Sequence, residues 1–138
     1  MRIMAIDYGD AHTGIAISDP TGFLAGFTTV IDAYRPEVVA DRVAALAKEH
    51  GVEELVLGHP INMDGTWGPR SEKAQAMKVL LEETTSLPVV LWDERRTTID
   101  AHQILFNSGK NAKKRKKVVD AVAATLILEG YLTYKKNH

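Results

Sequence analysis

Two carboxylates directly follow apolar strands, where an acid is costly unless a cation or a hydrogen-bond donor meets it. Asp7 ends the first predicted strand (Ile3–Asp7), and Glu94 stands beside Asp93 after another predicted strand, Pro88–Trp92. Burying an unpaired charge costs several kcal/mol. Asp7 could cap the turn that follows it, and a neighbouring arginine could pair with one of the two later acids. The alternative is that these acids serve a shared cation.

A third acid, Asp120, is the only charged residue in the segment Val118–Leu128. A helix that is apolar on nearly every face is a buried helix, so this carboxylate also needs a partner. Backbone N–H groups at the start of the helix could satisfy it locally. If the three acids instead meet at one sheet edge, two of them about 4 Å apart repel by about 4 kcal/mol at an effective dielectric of about 20. Such a cluster predicts Mg²⁺ or Mn²⁺, which can activate water to hydrolyse a phosphodiester.

The turn after Asp7 contains Gly9 and Gly14. Glycine permits positive φ angles and lets a ligand approach the backbone closely, so these positions are compatible with phosphate binding. The same Asp-x-Gly pattern followed by a glycine occurs in actin-like and sugar-kinase-like proteins. A chain of 138 residues is about half or less of what such a two-lobed protein needs, which argues against that class.

A basic segment, KNAKKRKK (Lys110–Lys117), stands out from a chain whose net charge is only −1. It holds six Lys and Arg residues and no acid, so the remainder of the chain is acidic. The segment is either a solvated loop or a local surface that binds a polyanion such as nucleic acid.

Length and composition predict a single domain over residues 1–138. The chain contains no Cys, which excludes disulfides, thiolate metal sites and a Cys nucleophile. It lacks a signal-peptide pattern and an apolar run of about 20 residues, so we expect a cytoplasmic protein without membrane contact.

Hydrophobic periodicity and turn residues predict an α/β fold with a mixed sheet. The predicted strands are Ile3–Asp7, Thr13–Ser18, Phe23–Ile31, Glu54–Leu57 and Pro88–Trp92, and the first three form an antiparallel meander. Four helices are predicted. The first begins at Pro36 and ends at Gly51, and the second contains Ala74, Met77 and Leu81 on one face. The third runs from Thr97 or Thr98 to about Asn107, and the fourth from about Val118 to Tyr134. The basic segment is expected to be a loop before the last helix.

Four blocks of the sequence together resemble the YqgF/RuvX family of ribonuclease H-like proteins. The blocks are DYGDAHTGIAISD (Asp7–Asp19), GHPINMDGTWGPR (Gly58–Arg70), DERRTT (Asp93–Thr98) and KKVVDAVAATLILEGYL (Lys116–Leu132). The family is described both as Holliday junction resolvases and as nucleases that mature the 5′ end of small-subunit ribosomal RNA. The resemblance implies a ribonuclease H-like, five-stranded mixed sheet in the order 3-2-1-4-5, flanked by helices.

The resemblance also implies roles for individual residues. The family's catalytic and metal-binding acids fall on Asp7, Glu94 and Asp120. Nucleic acid is expected to contact seven basic residues, namely Arg70, Arg95, Lys113, Lys114, Arg115, Lys116 and Lys117. His59 replaces an apolar residue of the usual pattern, and His12 replaces a frequent arginine. His59 and Asp93 are further candidates for the site, with a purely structural role as the alternative for His59.

Several alternatives stay open at the level of sequence. The expected activity is metal-dependent endonuclease cleavage of structured nucleic acid, foremost in 5′-end maturation of pre-16S rRNA. Holliday junction resolution is a second candidate, and a non-catalytic nucleic-acid-binding or ribosome-assembly factor is a third. A monomer and a homodimer are both compatible with the sequence. Neighbouring strands lie about 4.8 Å apart, so Asp7 and Glu94 are expected two strand spacings apart, with Gly58 leaving room for Glu94 to lean across.

Overall fold

A computed structural model describes residues 1–21, 25–60, 64–94 and 112–136, with side chains in the last helix described from residue 121 onward. Five strands form one sheet in this part of the chain, and three helices accompany them. The strands are β1 (Arg2–Asp7), β2 (His12–Ser18), β3 (Ala25–Asp32), β4 (Val52–His59) and β5 (Val89–Asp93). The helices are α1 (Pro36–His50), α2 (Pro69–Thr85) and α3 (Ala112–Lys136).

The sheet has the order β3-β2-β1-β4-β5, which confirms the predicted α/β fold and its strand order. β1 to β3 pair antiparallel, whereas β4 is parallel to both β1 and β5. β1 is therefore the central strand, and the carboxyl ends of β1, β4 and β5 lie at one edge of the sheet. This edge carries Asp7 and Glu94.

Residues of successive strand positions point to opposite faces of the sheet, and each face builds its own core. Met4, Ile6 and Leu57 belong to the core shared with α1 and α2. Ile3, Ala5, Val56 and Trp92 belong to the second core, together with Ala124, Ile127 and Leu128 of α3. Because Asp7 and Glu94 continue the alternation of Ala5 and Trp92, both lie on the α3 face.

Local sequence signals fix the ends of the first two helices. Pro36 and Pro69 stand in the first turn, where proline's missing N–H costs no hydrogen bond. Gly51 ends α1 in the left-handed conformation, with φ of 68°, as a glycine after a helix commonly does. The turn at Gly51 sends the chain directly into β4, which carries it to the edge where the acids lie.

The last helix begins earlier than the sequence analysis expected. α3 starts at Ala112 instead of about Val118, so Lys113–Lys117 are helical residues and the expectation of a basic loop is wrong for them. Ala, Lys and Arg are strong helix formers, and no Gly or Pro separates them from the apolar part of the helix. The strands also extend beyond the predicted ends, as β4 does to His59.

The two glycines after Asp7 lie in different elements. Gly14 lies inside β2, as the predicted strand Thr13–Ser18 has it, directly opposite Asp7 in the register, whereas Gly9 lies in the turn between β1 and β2. Neither Gly9 nor Gly14 is among the glycines with positive φ. The helix expected from Thr97 or Thr98 to Asn107 falls outside the described residues. None of the described helices has the length and apolar character needed to cross a membrane.

Candidate active site at the carboxyl edge of the sheet

Asp7 and Glu94 meet at the edge of the sheet although β4 lies between their strands. A hydrogen bond joins the two side-chain carboxyls. Such a bond requires one of the two groups to be protonated, since an ionised carboxylate has no donor. The two acids predicted from their positions after apolar strands therefore converge, and they do so on the α3 face of the sheet.

Gly58 makes this contact sterically possible. A Cβ at position 58 would lie 2.6 Å from Oε1 of Glu94 and 2.8 Å from Cδ1 of Ile127. Both distances are shorter than van der Waals contact, so any larger residue would have to displace the Glu94 carboxyl. The expectation that Gly58 gives Glu94 room to lean toward Asp7 is confirmed.

Burial raises the pKa values of both acids, and the charge of Asp7 raises that of Glu94 further. Desolvation is the main cause for each, because loss of water disfavours the charged form. The proximity of Asp7 is the next cause for Glu94, whose pKa rises to about 7. The hydrogen bond from Glu94 and the charge of Arg70 lower the pKa of Asp7, but not enough to offset its burial. The pair holds a proton at a pH where isolated carboxyls do not.

A cavity of about 270 Å³ opens beside the two acids. The residues that line it are Asp7, Tyr8, Gly9, Asp10, Ala11, His12, Gly58, Pro60, Arg70, Lys73, Ala74 and Glu94. Arg70 and Lys73 stand one turn apart at the start of α2, and both side chains are exposed. Nζ of Lys73 lies 2.8 Å from Oδ1 of Asp10. The cavity thus combines a half-buried acidic pair with two exposed cations, an arrangement suited to an anionic ligand.

Gly9 shapes the wall of this cavity. A Cβ at position 9 would collide with the backbone carbonyl oxygen of His12. The close approach that the sequence predicted at this glycine is therefore an approach of the chain to itself, in the turn between β1 and β2. His12 in turn contacts Asp32 on β3, with Nδ1 and Oδ1 2.6 Å apart, which closes the turn against the neighbouring strand.

His59 and Asp93 lie on the other face of the sheet from Asp7 and Glu94. They are paired in the register of β4 and β5, and alternation along each strand turns them toward the α1 and α2 side. His59 is only 5% exposed, and burial lowers its pKa, opposed by the nearby charge of Asp93. His59 does not line the cavity, whereas its chain neighbours Gly58 and Pro60 do. This position favours the structural interpretation of His59.

The remaining predicted site residues are only partly described. Asp120 and the basic residues Lys113, Lys114, Arg115, Lys116 and Lys117 lie in the first turns of α3, but their side chains fall outside the described part of the chain. Arg95 also falls outside it. Among the described side chains, no group of three His, Asp or Glu residues could hold a metal ion. Asp7 and Glu94 supply two carboxyls.

The comparison with protein families decides the assignment. The model of the family "RuvX: Holliday junction resolvase" matches residues 1–134, nearly the whole chain. The chain belongs to the RuvX family. It is therefore a nuclease, a hydrolase of phosphodiester bonds, which confirms the expected enzyme class.

Relatives in the RuvX family are similar over almost their full length. A protein of Halothermothrix orenii is 44% identical over 135 residues, covering 98% of this chain and 96% of the relative. A protein of Bacillus licheniformis is 45% identical over 134 residues, covering 96% of each. One of Listeria innocua is 47% identical over 134 residues, covering 96% of this chain and 97% of the relative. All three are named "Putative pre-16S rRNA nuclease".

Solved structures of resolvases share the fold of this RuvX chain. Thermus thermophilus RuvC in complex with a Holliday junction substrate has a TM-score of 0.64 at 14% identity, with 98% of this chain and 96% of that chain covered. The fowlpox virus resolvase in complex with Holliday junction DNA has a TM-score of 0.53 at 12% identity, with 99% and 98% covered. Together with the strand order, they confirm the ribonuclease H-like class.

Sequence reasoning missed Lys73, which lies in the cavity of this RuvX chain beside the predicted Arg70. The signal was present, because residues three apart share one face of a helix and Pro69 marks the helix start. Once Arg70 is assigned to the site, Lys73 follows from the spacing.

Proposed function

We propose that this chain is a metal-dependent endonuclease that cleaves precursor 16S rRNA near its 5′ end. The observation that carries the proposal is the convergence of Asp7 and Glu94 over Gly58, beside a cavity with two cations. The rRNA substrate is inferred from the names of relatives that are 44–47% identical over nearly the whole chain. Such a substrate implies a cytoplasmic site of action.

The chemistry of the acid pair fits a divalent cation. Two carboxyls driven together by the fold, with raised pKa values, are stabilised when a cation replaces the shared proton. Oxygen ligands suit Mg²⁺ and Mn²⁺, which supply charge stabilisation and a nucleophilic water when bound. Asp7 and Glu94 would hold the ion.

Asp120 is the third proposed ligand, on the basis of its place along α3. Residue 120 stands seven positions before Ile127, which is about two helical turns, or about 10 Å along the axis. It shares the helical stripe of Ala124 and Ile127, two buried residues of the core on the α3 face. Because Ile127 lies next to Gly58, this stripe leads toward the edge that carries Asp7 and Glu94.

The two cations of the cavity would orient the substrate. Arg70 presents a planar guanidinium that can contact two oxygens of one phosphate, and Lys73 presents a point charge. Lys73 pairs with Asp10 at the surface, so a phosphate can compete for it at little cost. These side chains would hold the phosphate against the acid pair, while Asp7 and Glu94 accept the proton of the attacking water or pass it to solvent.

Gly58→Ala tests whether the acid pair must be in contact. The added Cβ pushes the Glu94 carboxyl away from Asp7, and misplacement of a catalytic group by about 1 Å can cost about 10²-fold in rate. We expect cleavage to fall by about 10- to 100-fold, measured as the single-turnover rate on a fixed substrate. A rate within about twofold of wild type would contradict the proposed role of this contact.

Gly130→Ala is the matched control for this substitution. A Cβ there would lie 3.2 Å from Cζ2 of Trp92, so it also crowds the core on the α3 face. It leaves Glu94 and Asp7 untouched. Its cleavage rate should stay near that of wild type, and the melting temperatures of both variants show whether each is folded.

The basic residues of α3 are proposed to bind backbone phosphates, and salt dependence tests this. Each lysine that binds a phosphate should contribute about 0.7–0.9 to the slope of log K against log salt concentration. We expect a flatter slope after Lys113, Lys114 and Lys116 are replaced together by Ala, which preserves the helix. Lys48→Ala is the control, because Lys48 is exposed at the end of α1, which precedes β4 and so lies at the opposite edge of the sheet. An unchanged slope in the triple variant would mean that these lysines are solvated and do not bind phosphate.

Holliday junction resolution is the second candidate, because the matching family model carries that description. Symmetric cleavage of a junction needs two active sites and hence a homodimer. Cleavage of a 5′-extended pre-16S rRNA fragment and of a four-way DNA junction, each with Mg²⁺, Mn²⁺ or EDTA, separates the candidates. We expect metal-dependent cleavage of the RNA. Cleavage of the junction alone would favour the second candidate, and cleavage of neither would contradict both candidate substrates.

A further inference from the structure

Trp67 is a large aromatic side chain that the fold leaves largely exposed, three residues before Arg70 of the active-site cavity. Its side chain is 56% exposed, whereas Trp92 is 6% exposed in the core. Trp67 lies between Pro60 and Arg70 in the chain, and both of those residues line the cavity. Tryptophan is enriched at binding interfaces, because it offers a large apolar face together with a polar N–H.

The segment that carries Trp67 has a defined conformation. Oδ1 of Asp64 accepts hydrogen bonds from the backbone N–H of Thr66 at 3.0 Å and from its hydroxyl at 2.6 Å. Gly65 adopts a φ of 88°, which glycine tolerates best. Farther along, the buried hydroxyl of Ser71 donates to the carbonyl oxygen of Pro60, which ties the start of α2 to the end of β4.

The ring of His59 packs against the ring of Trp67. The two ring centroids lie 5.1 Å apart with an interplanar angle of 74°, an edge-to-face contact. Among the described residues, Nε2 of His59 has no hydrogen-bond partner although it is buried. The neutral, buried ring of His59 therefore packs against the indole of Trp67. His59, which replaces an apolar residue of the family pattern, thus contacts the exposed tryptophan directly.

We infer that Trp67 stacks on an unpaired nucleobase of the substrate, next to the phosphate held by Arg70. This inference rests on the proposed nuclease function and names the class of substrate that the site prefers. An indole presents its face to any base, and the bases of a duplex are already stacked on one another. Single-stranded nucleic acid is bound through such aromatic platforms together with cationic contacts to the backbone. The site therefore selects strands that are unpaired near the cleaved bond.

Binding experiments with the full chain test this inference without relying on cleavage. Two RNA ligands with equal numbers of phosphates are compared, a duplex with a single-stranded 5′ extension and a blunt duplex, using the non-cleaving Asp7→Asn protein. Stacking on one base contributes about 5- to 150-fold in affinity. We expect Trp67→Ala to weaken binding of the extended RNA within that range and to change binding of the blunt duplex by less than about twofold. Trp67→Phe should keep affinity for the extended RNA within about threefold.

Intrinsic fluorescence gives a second readout. The extended RNA should quench the fluorescence of the Asp7→Asn protein, and Trp67→Phe should abolish the quenching because Trp92 is buried. Tyr34→Ala, which removes an aromatic side chain that is 81% exposed elsewhere, should change neither measurement. Equally weakened binding of both RNAs, unchanged binding of both, or an absence of quenching would overturn the inference. If the wild-type protein cleaved no substrate but quenching and selective binding remained, the proposed function would fail and the stacking site would stand.

Discussion

Asp7→Asn is expected to lower the cleavage rate by at least about 10²- to 10³-fold, the range for removal of a single group that stabilises the transition state directly. Asparagine keeps the size of the side chain but removes the charge that would hold a divalent ion. Affinity for uncut nucleic acid should stay the same or increase, since a negative charge near the phosphates is removed. Single-turnover cleavage and a binding titration on the same substrate measure the two effects separately.

Glu49→Gln is the control for this prediction, because Glu49 is exposed at the end of α1, which precedes β4 and so lies at the opposite edge of the sheet. It should leave both cleavage and binding near wild type. Normal turnover by Asp7→Asn would end the proposal that the acid pair is catalytic. Loss of binding together with cleavage would instead assign Asp7 a structural role.

The second large effect is on stability as a function of pH and metal. In the absence of divalent ions, the folded chain holds a proton on the acid pair that the unfolded chain releases, because the pKa of Glu94 rises from 4.5 to about 7. The free energy of unfolding should therefore decrease as pH rises through this range. A shift of this size corresponds to about 3 kcal/mol, or roughly 10 °C in melting temperature. A bound Mg²⁺ or Mn²⁺ should reverse the decrease, since the cation favours the ionised acids.

Melting temperatures at pH 5 and pH 8, with EDTA and with Mn²⁺, measure this linkage. Glu94→Gln removes the titrating group but keeps a hydrogen-bond donor for Asp7, so both the pH-dependent destabilisation and the stabilisation by metal should shrink. Glu49→Gln, at an exposed position on α1, should behave as wild type. A wild-type protein in EDTA that is more stable at pH 8 than at pH 5, or a metal effect unchanged in Glu94→Gln, would contradict the shared-proton description.

The sequence predicted the acid pair because the cost of burying a charge is a local property. Asp7 and Glu94 each follow an apolar strand, and the order of the strands brings the two ends to one edge. The contact between them depended on Gly58, whose missing side chain could be read from the sequence and connected to the two acids. Strand order itself came from the family resemblance, since periodicity alone does not say which strands are neighbours.

Other features depended on three-dimensional context that local patterns do not contain. The start of α3 was missed because a run of like charges suggested a solvated loop, although Lys and Arg are good helix formers. Trp67 stands in a polar, glycine-bearing segment and Trp92 at the end of an apolar strand, but the contact of Trp67 with His59 is decided by three-dimensional packing.

The central position of β1 has a consequence for synthesis on the ribosome. Asp7 emerges first, but its proposed partners arrive much later in the chain, with β5 and α3. Domains form as the chain is made from its N-terminus, and contacts between such distant segments are slow to form. A nascent chain therefore carries an incomplete acid cluster until β5 and α3 have been made and have docked. The proposed cutting activity would be withheld from the translating ribosome's own RNA until then.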